Sequence, residues 1–86
     1  MDEVTKWLLH DSLRLGAIEV TYRKGNPVKI DFHHGDKLIE KLISRLIISL
    51  ISKESYEEVV KYLDGIDGIV KELKEGNVVS YTLTGL

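Results

Sequence analysis

The spacing of hydrophobic and polar positions changes period several times along this chain, and each change marks an element. The clearest run is 18–32. Ile18, Val20 and Tyr22 alternate with Glu19, Thr21 and Arg23; after Lys24-Gly25-Asn26, Val28, Ile30 and Phe32 alternate with Lys29 and Asp31. Period two written twice around a Gly-Asn turn predicts a β-hairpin with one apolar face. A three-residue loop pairs Tyr22 with Val28, Val20 with Ile30, and Ile18 with Phe32. Pro27 then starts the second strand, where a missing N–H is tolerated, above all at a sheet edge.

Helical spacing flanks this hairpin. Asp2 is placed to cap a first helix running to about residue 15, with Gly16 as its C′ residue. Val4, Trp7, Leu8 and Leu15 form one stripe of that helix, and Leu9 and Leu13 form a second, nearly opposite. A helix apolar on two sides needs two neighbours, and in so short a chain the second can be another subunit. From 36 to about 53, Leu38, Ile39, Leu42, Ile43, Leu46, Ile47, Leu50 and Ile51 sweep more than half the circumference. This predicts the most buried helix of the fold. Its polar arc holds Lys37, Lys41, Ser44, Arg45 and Ser52, with Ile48 alone among them. Ser55-Tyr56-Glu57-Glu58 matches the capping box S-x-x-E and starts a third helix, ended by Gly65 and Gly68. Tyr56, Val59, Val60 and Leu63 share its inner side.

The remainder reads as a second hairpin, 69–74 and 78–83 around Glu75-Gly76-Asn77. The same loop pairs Leu73 with Val79, Lys71 with Tyr81, and Ile69 with Leu83. A helix over 69–75 also fits Ile69, Val70 and Leu73, with Gly76 as its C′ residue. Laid on the first hairpin, five of six inward positions are apolar in both; Lys71, matching Val20, departs. Duplication and convergence both account for that similarity. The expected architecture is a single α+β domain over residues 1–86, in the order α-β-β-α-α-β-β. Two hairpins make a four-stranded antiparallel sheet, and three helices cover one face.

Composition sharpens the picture. Nine Ile, twelve Leu and eight Val supply an aliphatic core. The net charge of −2 is mixed in sign and argues against a strongly electrostatic partner. No uninterrupted apolar stretch is long enough to span a bilayer, and Asp2 and Glu3 are the wrong sign for a secretory leader. Without cysteine there is no disulfide framework and no thiolate chemistry. A cytoplasmic protein with no membrane partner and no cofactor is expected. There is also no Gln, one Met and two Asn, while Glu and Lys fill 17 of 86 positions. That is the pattern of hyperthermophilic proteins. In element order, length and composition the whole chain resembles a small family of uncharacterised α+β proteins from hyperthermophilic archaea. Such a family implies no particular activity.

Three groups of residues are candidates for chemistry or contact. The first is Asp31-Phe32-His33-His34-Gly35-Asp36, where His33, His34 and Asp36, with help from elsewhere such as His10, are conceivable metal ligands. Zinc needs three or four ligands, and this spacing repeats no known set. The economical alternative is a strand end, a turn at Gly35 and a helix cap at Asp36, with the histidines as linker residues. The second group, Arg14, Arg23, Lys24 and Lys29, is a nucleic-acid candidate at the basic tip of the first hairpin. Glu19 and Asp31 dilute that charge on the same outer face. The third is Leu9, Leu13 and Ile48, the candidate contacts of a homo-oligomer. No nucleophile elbow, phosphate-binding loop or calcium loop is present; Asp64-Gly65-Ile66-Asp67-Gly68 lacks the calcium register. The leading expectation is a non-enzymatic homo-oligomeric module, a dimer, that binds or assembles. A nucleic-acid regulator and a metal- or small-ligand-binding protein are the alternatives, and an unknown protein partner fits the first.

Overall fold

The computed structural model describes residues 1–84. Seven elements follow in the expected order: α1 (Glu3–Leu15), β1 (Ala17–Arg23), β2 (Asn26–His33), α2 (Lys37–Ile51), α3 (Tyr56–Asp64), β3 (Ile69–Leu73) and β4 (Val78–Leu83). The strands form one antiparallel sheet in the order β2-β1-β4-β3. The two hairpins therefore lie side by side, joined through β1 and β4. Residues 69–73 are a strand and not a helix.

The second hairpin has the register its alternation predicts, with Ile69 opposite Leu83, Lys71 opposite Tyr81 and Leu73 opposite Val79. The first keeps Ile18 opposite Phe32 and Val20 opposite Ile30, then departs. Tyr22 faces Pro27, Arg23 faces Asn26, and the register shifts beyond Thr21. The loop is therefore two residues, Lys24-Gly25, not three. Both have positive φ, 52° and 81°, the signature of a type I′ turn, whose twist matches that of the flanking strands. Shortening the loop leaves one residue over, and Val28 takes it up as a bulge, half exposed.

The core is aliphatic, as composition requires. Leu9, Leu13, Ile18, Val20, Ile30, Ile47, Val59 and Leu63 are buried together around Phe32 and Tyr81. Each such side chain contributes about 1.5–3 kcal/mol by leaving water. Caps fix the helix starts: Asp2 accepts from the Thr5 amide, Asp36 from Leu38 and Ile39, and Ser55 from Glu58. Gly16 ends α1, but not by a left-handed cap, for its backbone is extended. The glycine is needed because a Cβ there would overlap the His33 carbonyl oxygen and press on the Phe32 ring.

α1 packs over the central strands β1 and β4, while α2 packs against α1 and the edge strand β2. Met1 lies beside Glu54, and Gly16 lies beside the His33 that leads into α2. α1 and α2 are therefore antiparallel neighbours. α3 packs against α1 and β2, with the Tyr62 hydroxyl donating to the Lys6 carbonyl.

The expectation that α2 is the most deeply buried helix is overturned. Only Ile47 and Ile51 of α2 are fully buried, and Leu38, Leu42 and Leu46 stand in water. α2 rests on an edge strand beside one other helix, so half of its wide apolar arc meets no neighbour.

Candidate functional site

The histidine stretch is a joint between sheet and helix. β2 runs one residue further than expected, to His33, and His34-Gly35-Asp36 leads into α2. Asp36 caps the helix through two amide contacts of 2.9 and 3.2 Å. His34 Nδ1 accepts the Asp36 N–H at 2.9 Å, and its ring stacks near Phe32. Glu40, one turn into α2, reaches back to accept the His34 N–H at 3.0 Å. That backbone contact, followed by the nearby Lys37 and His33, holds the Glu40 carboxyl below its usual range despite partial desolvation.

His33 sits between two carboxylates from different elements. Its Nε2 lies 3.1 Å from Glu19 on β1, and its Nδ1 lies 3.7 Å from Glu40 on α2. The two ring nitrogens point in opposite directions, so this arrangement bridges two acids and does not converge on an ion. The His33 ring meets Glu19 and Glu40, His34 Nδ1 accepts from the Asp36 amide, and the Asp36 carboxylate accepts from the α2 amides, so the three side chains do not converge. Among the described residues, no group of three or more acidic or histidine side chains is arranged to hold a metal, and His10 does not join the cluster. The partnership with Glu19 was readable from the hairpin register, which puts Glu19 and His33 on the same outer face. Glu40 was not, because its approach depends on how α2 docks.

The basic candidates do not assemble into one patch. Arg14 lies in the last turn of α1, before β1 begins, whereas Arg23 ends β1 and Lys24 follows it in the turn. Arg14 pairs with Asp11 at 3.8 Å and Lys29 with Asp31 at 3.6 Å. Two cations at a hairpin tip remain.

A second polar cluster was missed. The buried Tyr81 hydroxyl donates to Asp64 at 3.1 Å, and Lys71 meets the same carboxylate at 2.9 Å while lying over the Tyr81 ring. Burial, then the Tyr22 hydroxyl and the Asp64 charge, drive the Tyr81 phenol far above its ordinary range, so it acts as a donor and not a base. This also explains Lys71, the inward position that broke the hairpin pattern. A shallow depression of about 310 Å³ between α1 and α3 is lined by Met1, Lys6, Glu58, Lys61 and Tyr62. It gathers no catalytic set.

The contact candidates divide. Leu9 and Leu13 are core residues, 0 % and 3 % exposed, and have no surface to give a second subunit. The opposite stripe of α1 is the free one: Val4, Trp7 and Leu15 are more than half exposed. Ile48 is exposed as expected. On α2, Leu38, Leu42 and Leu46 recur at four-residue intervals and are 67 %, 51 % and 50 % exposed. Because α1 and α2 are adjacent, these two stripes face outward together. Among the described residues, no helix is long and apolar enough to cross a membrane. Scanned against protein-family models the chain matches none, and searches of curated proteins and of solved structures return no match.

Proposed function

We propose that the chain is a non-enzymatic self-assembling module that forms a homodimer through the outer faces of α1 and α2. One observation carries this reading. Leu38, Leu42 and Leu46 stand exposed beside exposed Val4, Trp7 and Leu15, on two helices that already pack together. Apolar surface of this kind marks an interaction site. Covering it gains about 25 cal/mol for each Å² removed from water. Leucines at i, i+4 and i+8 form a ridge suited to the groove of a facing helix. The polar clusters, in contrast, are engaged in joining strands to helices. A cytoplasmic setting and a hyperthermophilic source, read from composition, suit a small chain that gains stability by pairing.

Light scattering at high micromolar concentration tests this. The wild-type chain is expected at twice its 9.8 kDa mass, and Leu42→Asp at the monomer mass with unchanged circular dichroism. The wild-type melting temperature should rise with protein concentration. A wild-type chain that stays monomeric removes the proposal.

A further inference from the structure

The segment Asp64-Gly65-Ile66-Asp67-Gly68, which lacks a calcium register, writes nearly the same four residues twice: Leu-Asp-Gly-Ile from Leu63, then Ile-Asp-Gly-Ile from Ile66. These are the two Asp-Gly pairs of the chain, and it has no Asn-Gly. Such a pair has a chemistry of its own. The aspartyl carboxyl carbon and the next amide nitrogen can close a five-membered ring, and a glycine has no Cβ to hold them apart. Closure needs a carboxyl free to turn, an amide nitrogen not already engaged as a donor, and a backbone outside a helix. Because the two pairs have almost identical neighbours, any difference between them is set by the fold.

Asp64 meets none of these conditions. It is the last residue of α3, and its carboxylate is held by the Tyr81 hydroxyl at 3.1 Å and by Lys71 Nζ at 2.9 Å. The Gly65 N–H donates to the Tyr62 carbonyl at 3.1 Å, and a nitrogen so engaged resists giving up its proton. Asp67 is placed differently. It stands with Gly68 in the exposed turn between α3 and β3. Among the described residues, its carboxylate has no hydrogen-bond or ion-pair partner, and the Gly68 N–H has no acceptor. Gly68 has a φ of 79°, left-handed backbone that favours glycine. The turn thus requires the very residue that makes the preceding bond labile.

We infer that Asp67-Gly68 is a site of spontaneous isomerisation to isoaspartate, and that the fold protects Asp64-Gly65 from the same reaction. The Gly68 nitrogen attacks Cγ of the protonated Asp67 carboxyl. The N–Cγ bond forms, and one carboxyl oxygen leaves as water with the carboxyl proton and the amide proton. The product is a succinimide ring. Water then adds to the main-chain carbonyl carbon of Asp67, and the bond from that carbon to nitrogen breaks. The chain now runs through Cγ, and the former main-chain carbonyl is a free carboxylate. One water leaves and one enters, so mass and charge are unchanged and no electrons are transferred. The main chain gains one atom beside Gly68, whose carbonyl accepts the Thr84 amide at 2.9 Å and the Thr84 hydroxyl at 3.0 Å. The extra atom falls where the β3–β4 hairpin is closed.

The sequence makes the comparison internal to one peptide. Trypsin cuts after Lys61 and Lys71, so the peptide from Tyr62 to Lys71 carries both Asp-Gly pairs. Chromatography separates its isomers, and electron-transfer fragmentation assigns isoaspartate to position 64 or 67. The native chain is kept warm, below its melting temperature, at neutral pH for weeks, beside the same chain in strong denaturant. In denaturant the two positions should convert at similar rates. In the native chain Asp67 should convert several-fold faster than Asp64. Equal conversion of the two in the native chain, faster conversion at Asp64, or no conversion at Asp67 overturns the inference. Asp67→Glu supplies a second readout, because the longer side chain must close a larger and slower ring. The isomer peptide should vanish from the aged native variant, and its persistence at the wild-type level also overturns the inference.

Discussion

The Tyr81 hydroxyl donates to the Asp64 carboxylate across 3.1 Å, joining the middle of β4 to the last turn of α3. Tyr81 is fully buried beside the Tyr22 hydroxyl, so losing this bond removes one of the few partners its desolvated phenol has. Tyr81→Phe should cost about 1 kcal/mol in urea unfolding. The bond also has a pH signature. Burial raises the native phenol above its unfolded value, so the stability is complete below the ordinary tyrosine value of 10.0 and is lost as pH rises past it. That alkaline slope should flatten in Tyr81→Phe. An equal slope in both proteins would place the alkaline sensitivity elsewhere.

Gly16 is held against the His33 carbonyl and the Phe32 ring. Its φ is extended and open to any residue, so the constraint is purely one of space. Gly16→Ala should destabilise the fold by about 2–3 kcal/mol, because a backbone oxygen cannot turn aside. Denaturant midpoints read this directly.

Lys24 occupies a left-handed position, φ 52°, in the two-residue turn of the first hairpin. Asparagine tolerates that conformation better than lysine. Lys24→Asn should therefore raise stability by about 0.5–1 kcal/mol. The gain should appear as a higher urea midpoint with an unchanged slope.

Glu40 ties α2 to the end of β2, and its carboxyl is held below the usual value of 4.5 chiefly by the His34 amide. A carboxyl depressed in the native state stabilises above its unfolded value, and that stability is lost as pH falls. Acidification below about pH 4.5 should weaken the wild-type protein more than Glu40→Gln. Parallel acid titrations followed by circular dichroism would compare them.

Much of this fold was legible because alternation is a local property. Ile18 through Phe32 declared a hairpin, and Asp2, Asp36 and Ser55 each announced a helix start. What escaped depends on docking. α1 has two apolar stripes, and nothing in either says which one the sheet will claim; Leu9 and Leu13 go inward and Val4 and Leu15 stay out. α2 appeared the most buried because its apolar arc is widest, yet an arc records capacity for contact and not the neighbours available. The Val28 bulge escaped because Lys24-Gly25 and Lys24-Gly25-Asn26 are both plausible loops, and the twist of the strands decides between them. In the candidate site, the cap at Asp36 was visible locally. The bridge from Glu19 through His33 to Glu40 needed three elements in place.

Pro27, the Val28 bulge and the Lys29–Asp31 pair all fall on β2, one border of the sheet. The other border, β3, is only five residues long and presents Lys71 and Glu72. Both borders are thereby poor templates for another chain's strand. Strand addition can repeat without limit and ends in fibres, whereas a helical face used twice about one axis is consumed by the first partner. Under the proposed homodimer, blunted borders beside an open helical face favour a particle of fixed size over a growing one.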